Sequence, residues 1–207
     1  MKNIAILGRE TALQKIEWRE GEFPRLSLGG NQPFETVQVN EFEETLWEEN
    51  LRDDFNGPEL NKHFQFLREP ADDSWLSLSR KPGFLSLKGR ASLFSAFEQS
   101  LLARRLQHFQ AEAETCVEFY PNHPKQEAGL IAYNDGRNYI NFRISADEHG
   151  QRKLGIMYSN NGTGWVNRAE LFHVADLPEQ GKVFLKMRND YDQLFFSWSL
   201  DGTAWHD

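Results

Sequence analysis

The residues that could do chemistry are plentiful and poorly organised. The chain carries 31 Asp and Glu residues, and the adjacent pairs Asp53–Asp54 and Asp72–Asp73 draw attention first. General acid–base chemistry needs carboxyls that converge from different elements, with environments that push their pKa values apart. Neighbours in an extended chain point to opposite faces, so these pairs read as turn and cap residues. The six histidines, His63, His108, His123, His149, His173 and His206, show no His-x-x-x-His or His-Glu-x-x-His spacing, and no metal site is expected from them. No Gly-x-Ser-x-Gly nucleophile elbow is present. The single cysteine, Cys116, lies in the alternating run "TCVEFY" and reads as a core thiol rather than a reactive one.

The opening "MKNIAILGRETALQK" imitates a nucleotide-binding start. A dinucleotide site needs Gly-x-Gly-x-x-Gly, so that the backbone can approach a pyrophosphate at a helix N-terminus. Here the next glycine after Gly8 is Gly21, no Gly-Lys-Ser/Thr follows, and Glu10 would repel phosphate. No cofactor is expected. Aromatic side chains remain: Trp75, Trp165, Trp198 and Trp205 could each stack a sugar ring, but aromatics also build sandwich cores, and core is the better reading for each.

The elements that must position these residues are strands. Alternating or compact apolar runs occur at 75–79, 84–88, 115–120, 129–133, 139–144, 153–158, 183–188 and 194–199. Turn chemistry separates them, in "KPG", "YNDGRN", "DEHG", "SNNG" and "LDG". Many short strands divided by tight turns predict an all-β protein, an antiparallel β-sandwich. The stretch 93–107 has helix formers without a clean apolar face and is read as a strand at "SLLARRLQ". "YSNNGTGW" and "WSLDGTAW" echo each other as two hairpins of one design.

Three segments are expected: a short N-terminal β extension (1–32), an acidic linker (33–52) and a β domain (53–207) opening on a short strand at Phe55. The net charge of −8 argues against nucleic acid, which needs a basic face. "IAIL" is too short for a signal-peptide core or a membrane span, so a cytoplasmic protein with no membrane partner is expected.

Several stretches carry a family resemblance. "LGRETALQKIEW" (7–18) resembles a segment near the end of the five-bladed propeller of glycoside hydrolase family 43 β-xylosidases and arabinofuranosidases. "DDFNGPELNKHFQFLREP" (53–70), "KPGFLSLKGRASLF" (81–94), "QSLLARRLQHFQAEAETCVEF" (99–119), "AGLIAYND" (128–135) and "SLDGTAW" (199–205) resemble the C-terminal sandwich of the same enzymes, in the same order.

The resemblance implies a concanavalin A-like jelly roll packed against the propeller. It also implies release of xylosyl or arabinosyl units with inversion, by an acid and a base carboxyl that admit a water between them. The family's Asp, Asp and Glu lie in blades preceding the "GRET" segment where this chain starts. No residue here is therefore assigned as catalytic, and the chain is expected to be inactive alone. Arg9 matches the family's substrate-binding arginine, a role it would fill only in an intact enzyme. Family members continue beyond "SLDG-W", so 53–207 is expected to lack its final strands. The open sheet edge would then be covered by a second copy in a homodimer, or in part by the 1–32 extension. The implied partners are a propeller domain or chain and xylo-oligosaccharide; a free-standing carbohydrate-binding module is the alternative.

Overall fold

The structure, a computed structural model, describes residues 12–38, 51–160 and 170–207. The chain divides into two compact units, Met1–Arg52 and Asp53–Asp207.

In the first unit, β1 (Ile16–Glu17) and β2 (Arg25–Leu26) form a small antiparallel hairpin with Ile16 opposite Leu26. The Gln14 amide closes it, donating to the Phe34 carbonyl and accepting from the Phe34 N–H, both at 3.2 Å. The described residues of this unit bury almost nothing. Leu13, Trp18 and Phe23 are 81%, 74% and 90% exposed.

The second unit is the expected all-β antiparallel sandwich. Two short pairs come first: β3 (Phe64–Phe66) with β6 (Leu102–Arg104), and β4 (Leu76–Ser77) with β5 (Ser86–Leu87). Then come β7 (Gln110–Val117), β8 (Ala128–Asp135), β9 (Asn138–Ala146), β10 (Arg152–Ser159), β11 (Glu170–Asp176), β12 (Val183–Asp190) and β13 (Gln193–Ser199). One sheet has the order β11-β10-β9-β8, the other β13-β12-β7. β9 and β10 fall where alternation predicts them. β11 escapes the pattern, because its Leu171, Phe172 and Val174 are exposed at a sheet edge.

Period-two alternation directs Phe142, Ile144, Leu154, Val183, Leu185 and Met187 into the space between the sheets, where they form one core with Leu177. Turns fix the register. Asp135 accepts hydrogen bonds from the Arg137 and Asn138 N–H groups at 2.7 and 3.0 Å, tying the β8–β9 hairpin. Arg152, buried, donates from Nη1 to the Pro178 carbonyl at 2.8 Å and from Nη2 to that of Gly181 at 3.2 Å, pinning the β11–β12 connection.

The strand expected at Phe55 is absent. Asp53 and Asp54 accept from the N–H groups of Phe55 and Asn56, and Phe55 takes a φ of 56°. Two consecutive side-chain-to-backbone turns bend the chain where a strand would run straight. The hairpin read at "WSLDGTAW" is present: Asp201 accepts from the N–H groups of Thr203 and Ala204 at 2.7 and 2.8 Å, and Gly202 turns at φ 76° under the Phe184 ring. Its echo at 158–165 lies partly outside the described residues.

Those hydrogen bonds hold the Asp201 carboxyl far below its usual pKa. The folded value is depressed, so its stabilisation is present above the ordinary aspartate value of 3.8 and lost as pH falls below it. Asp201→Asn should therefore flatten the acid limb of the stability curve, measured as melting temperature between about pH 5 and pH 2, where the native chain shows a steeper loss.

Candidate functional site

Of the residues singled out as carriers of chemistry, Arg9 and Trp165 lie outside the described residues. The paired aspartates serve turns: Asp72 accepts from the Ser74 N–H at 2.8 Å and from its hydroxyl, which lowers its pKa. His123 accepts the Lys125 N–H through Nδ1 at 3.1 Å, and His173 sits 3.3 Å from Asp176. Among the described residues no group of His, Cys, Asp and Glu is arranged to hold a metal ion. Cys116 is half-buried on β7, and desolvation raises its thiol pKa, which disfavours the reactive thiolate.

Of the described tryptophans, Trp18 is exposed, while Trp75, Trp198 and Trp205 are all engaged. Trp75 is 2% exposed, meets Phe66 edge-on at 5.9 Å and carries the Arg90 guanidinium 4.5 Å over its face. Trp198 points between the sheets and is stacked by His206 at 4.6 Å. Trp205 lies under the Lys186 ammonium at 4.2 Å, and that lysine also bridges Glu112 and Glu114. Each of these contacts occupies a ring face that a sugar would need.

One polar cluster is buried. β9 is central, so its residues opposite the core, Tyr139, Asn141, Arg143 and Ser145, face away from the other sheet and are nonetheless buried. Arg143 lies between Gly129 on β8 and Gly155 on β10, its register partners on either side. Without side chains there, the arginine has a trough to occupy. Glu127 lies 3.6 Å from Arg143 Nε and accepts from Asn141 Nδ2 at 3.1 Å. Burial pushes the Glu127 carboxyl up; Arg143 and the Asn141 hydrogen bond pull it back. This is one carboxylate with a counter-ion, and it lacks the second carboxyl across a substrate-sized gap that glycoside hydrolysis requires. The sequence signal was a charged residue inside the apolar run "YINFRI", which a strand buried on both faces explains.

The sandwich also has an open cleft of ≈ 560 Å³ between the sheets. Phe142, Ile156, Leu194, Phe196 and Trp198 supply its apolar walls, with His173, Arg188 and Asp207 at the margin.

The family model that matches is the beta xylosidase C-terminal concanavalin A-like domain, over residues 52–207. The chain belongs to this family. It is similar to a xylan 1,3-beta-xylosidase of Vibrio sp, 36% identical over 204 residues that cover 98% of this chain and 37% of that protein. It is also similar to a putative beta-xylosidase of Escherichia coli K12, 37% identical over 203 residues, 97% of this chain and 37% of the other. Among solved structures, the xylan beta-1,4-xylosidase of Bacillus halodurans C-125 superposes with a TM-score of 0.84 at 33% identity, covering 93% of this chain and 37% of that one. The chain thus spans 37% of the length of each of these beta-xylosidase relatives.

Proposed function

We propose that this chain is the accessory C-terminal portion of a β-xylosidase-like glycoside hydrolase acting on xylan-derived oligosaccharides in the cytoplasm, and that it is inactive without a propeller partner. The observation that carries this reading is the family match over 52–207 in a chain that spans 37% of its beta-xylosidase relatives. The sandwich supports it: among the described residues, the one substantially buried carboxylate with a shifted pKa, Glu127, is committed to Arg143 and Asn141. The exposed Leu13, Trp18 and Phe23 of the first unit also support it, since they offer an apolar surface that a propeller body would cover. Arg9 would contribute to the sugar subsite of that assembled enzyme. In this reading a propeller, as a domain or as a separate chain, supplies the two Asp and one Glu.

The test is hydrolysis of a chromogenic β-xyloside by the purified chain. Release no greater than a heat-killed control is expected, and release well above it overturns the proposed inactivity. Calorimetry with xylo-oligosaccharides separates the carbohydrate-binding alternative: no heat is expected at millimolar sugar, and saturable heat would favour that alternative.

A further inference from the structure

A glycine that follows Asn or Asp leaves its nitrogen free to attack the side-chain carbonyl carbon before it, because no Cβ on the glycine obstructs the approach. The chain has four such steps: Asn56–Gly57, Asp135–Gly136, Asn161–Gly162 and Asp201–Gly202. Asn161–Gly162 lies outside the described residues.

The structure separates the other three. Asp201 is held by the Thr203 and Ala204 N–H groups and by the Ser199 hydroxyl, which donates at 2.9 Å. Asp135 accepts from the Arg137 and Asn138 N–H groups and from Asn138 Nδ2. These bonds lower both pKa values, so both side chains are fixed, ionised carboxylates and poor electrophiles. Asn56 differs. It is exposed, and among the described residues neither its side-chain amide nor the Gly57 N–H makes a hydrogen bond. Its own N–H donates to Asp54 Oδ1 at 3.3 Å. The amides of Asn134 and Asn189, each followed by an aspartate, are tied down, to Asp135 at 3.0 Å and to the Phe109 carbonyl at 2.7 Å.

We propose that Asn56 is a site of spontaneous covalent modification, where the chain deamidates through a cyclic imide to aspartate and isoaspartate. The Gly57 nitrogen bonds to Asn56 Cγ and loses its proton to solvent. The Cγ–Nδ2 bond breaks and ammonia leaves. Water then opens the imide at either carbonyl. One opening gives aspartate; the other routes the main chain through Cβ and gives isoaspartate. An amide and a water become a carboxylate and an ammonium ion, and no oxidant or cofactor is needed. Both products add a negative charge to a chain already at −8. Isoaspartate also lengthens the main chain by a carbon in the segment that opens the second unit, where Asp53 and Asp54 set consecutive turns.

The experiment incubates the full 207-residue chain in warm, mildly alkaline buffer. Mass spectrometry follows the peptide carrying Asn56, and isoaspartyl methyltransferase with a labelled methyl donor reports isoaspartate. That peptide should gain about 1 Da, the difference between NH2 and OH, as two separable products. It should do so about tenfold faster than peptides carrying Asn134 or Asn189. Gly57→Ala is the control. Gly57 has no positive φ, and within 4 Å a Cβ there would meet the Glu59 carbonyl oxygen alone, at 3.7 Å. The variant should therefore keep its melting temperature and deamidate about tenfold more slowly. No mass gain at Asn56, a gain no faster than at Asn134 or Asn189, aspartate without isoaspartate, or an undiminished rate in Gly57→Ala would each overturn the proposal.

Discussion

Gly129→Ala is expected to destabilise the sandwich by about 3 kcal/mol, at the upper end of what overpacking costs. A Cβ at this position would lie 2.0 Å from the Phe142 carbonyl oxygen and 2.8 Å from the Arg143 Cα. Both are backbone atoms of β9, which is held on its other side by β10. No flexible side chain can swing away, so the β8–β9 pairing itself must give. Gly155→Ala meets the Phe172 carbonyl oxygen at 2.8 Å, but Phe172 is on the edge strand β11, next to a register shift. That strand can yield outward, and a loss of about 1 kcal/mol is expected. Urea midpoints with matched m-values provide the comparison. A Gly129→Ala chain no less stable than Gly155→Ala would show that the three-strand register around Arg143 is wrong.

Leu185→Ala is the second large effect, about 3 kcal/mol within the usual range for a buried leucine. Leu185 is 0% exposed in the middle strand of the three-stranded sheet, packed in the cluster with Ile144, Leu154 and Val183. Strands on both sides prevent collapse around the missing methyl groups, so a cavity remains. Phe195→Ala provides the control. Its larger side chain sits 40% exposed at the β13 edge, and its loss should cost about 1 kcal/mol or less. If the two variants unfolded at the same urea concentration, the core would not lie where the two sheets place it.

The long strands were legible in the sequence because they are buried on a face that alternation reveals. Val183, Leu185 and Met187 in "VFLKMR", and Phe142 and Ile144 in "YINFRI", announce their inward face directly. β11 was not legible, since "ELFHVAD" exposes its apolar residues at an edge where the core exerts little selection on them. Phe55 was misread because the propensity of an aromatic residue gave no weight to the two aspartates that bend the chain before it. The site was harder still. Whether Trp75, Trp198 or Trp205 offers a free face depends on Arg90, His206 and Lys186, and two of these contacts join residues more than ten positions apart in sequence. Arg143, one charge in an apolar run, could not be placed as buried until β9 proved to be covered on both sides. The accessory role became readable through motif resemblance and the family match, while composition alone reached only a β-sandwich.

The pairing of β7 with β12 has a kinetic meaning. Gln110 and Asp190, joined through the Gln110 amide at 2.9 Å, are 80 residues apart, and the whole β8–β11 run intervenes. β8, β9 and β10 can zip as successive hairpins soon after they are synthesised, because their closing loops are short. β7 must wait, with the edge that β12 pairs left unsatisfied, until β12 has been synthesised. Refolding should therefore proceed from the four-stranded sheet outward, with docking of β12 onto β7 as the late, slow event. During that interval the inward residues of β7 stand open to the wrong neighbour, so the risk of misassembly is greatest for chains still on the ribosome.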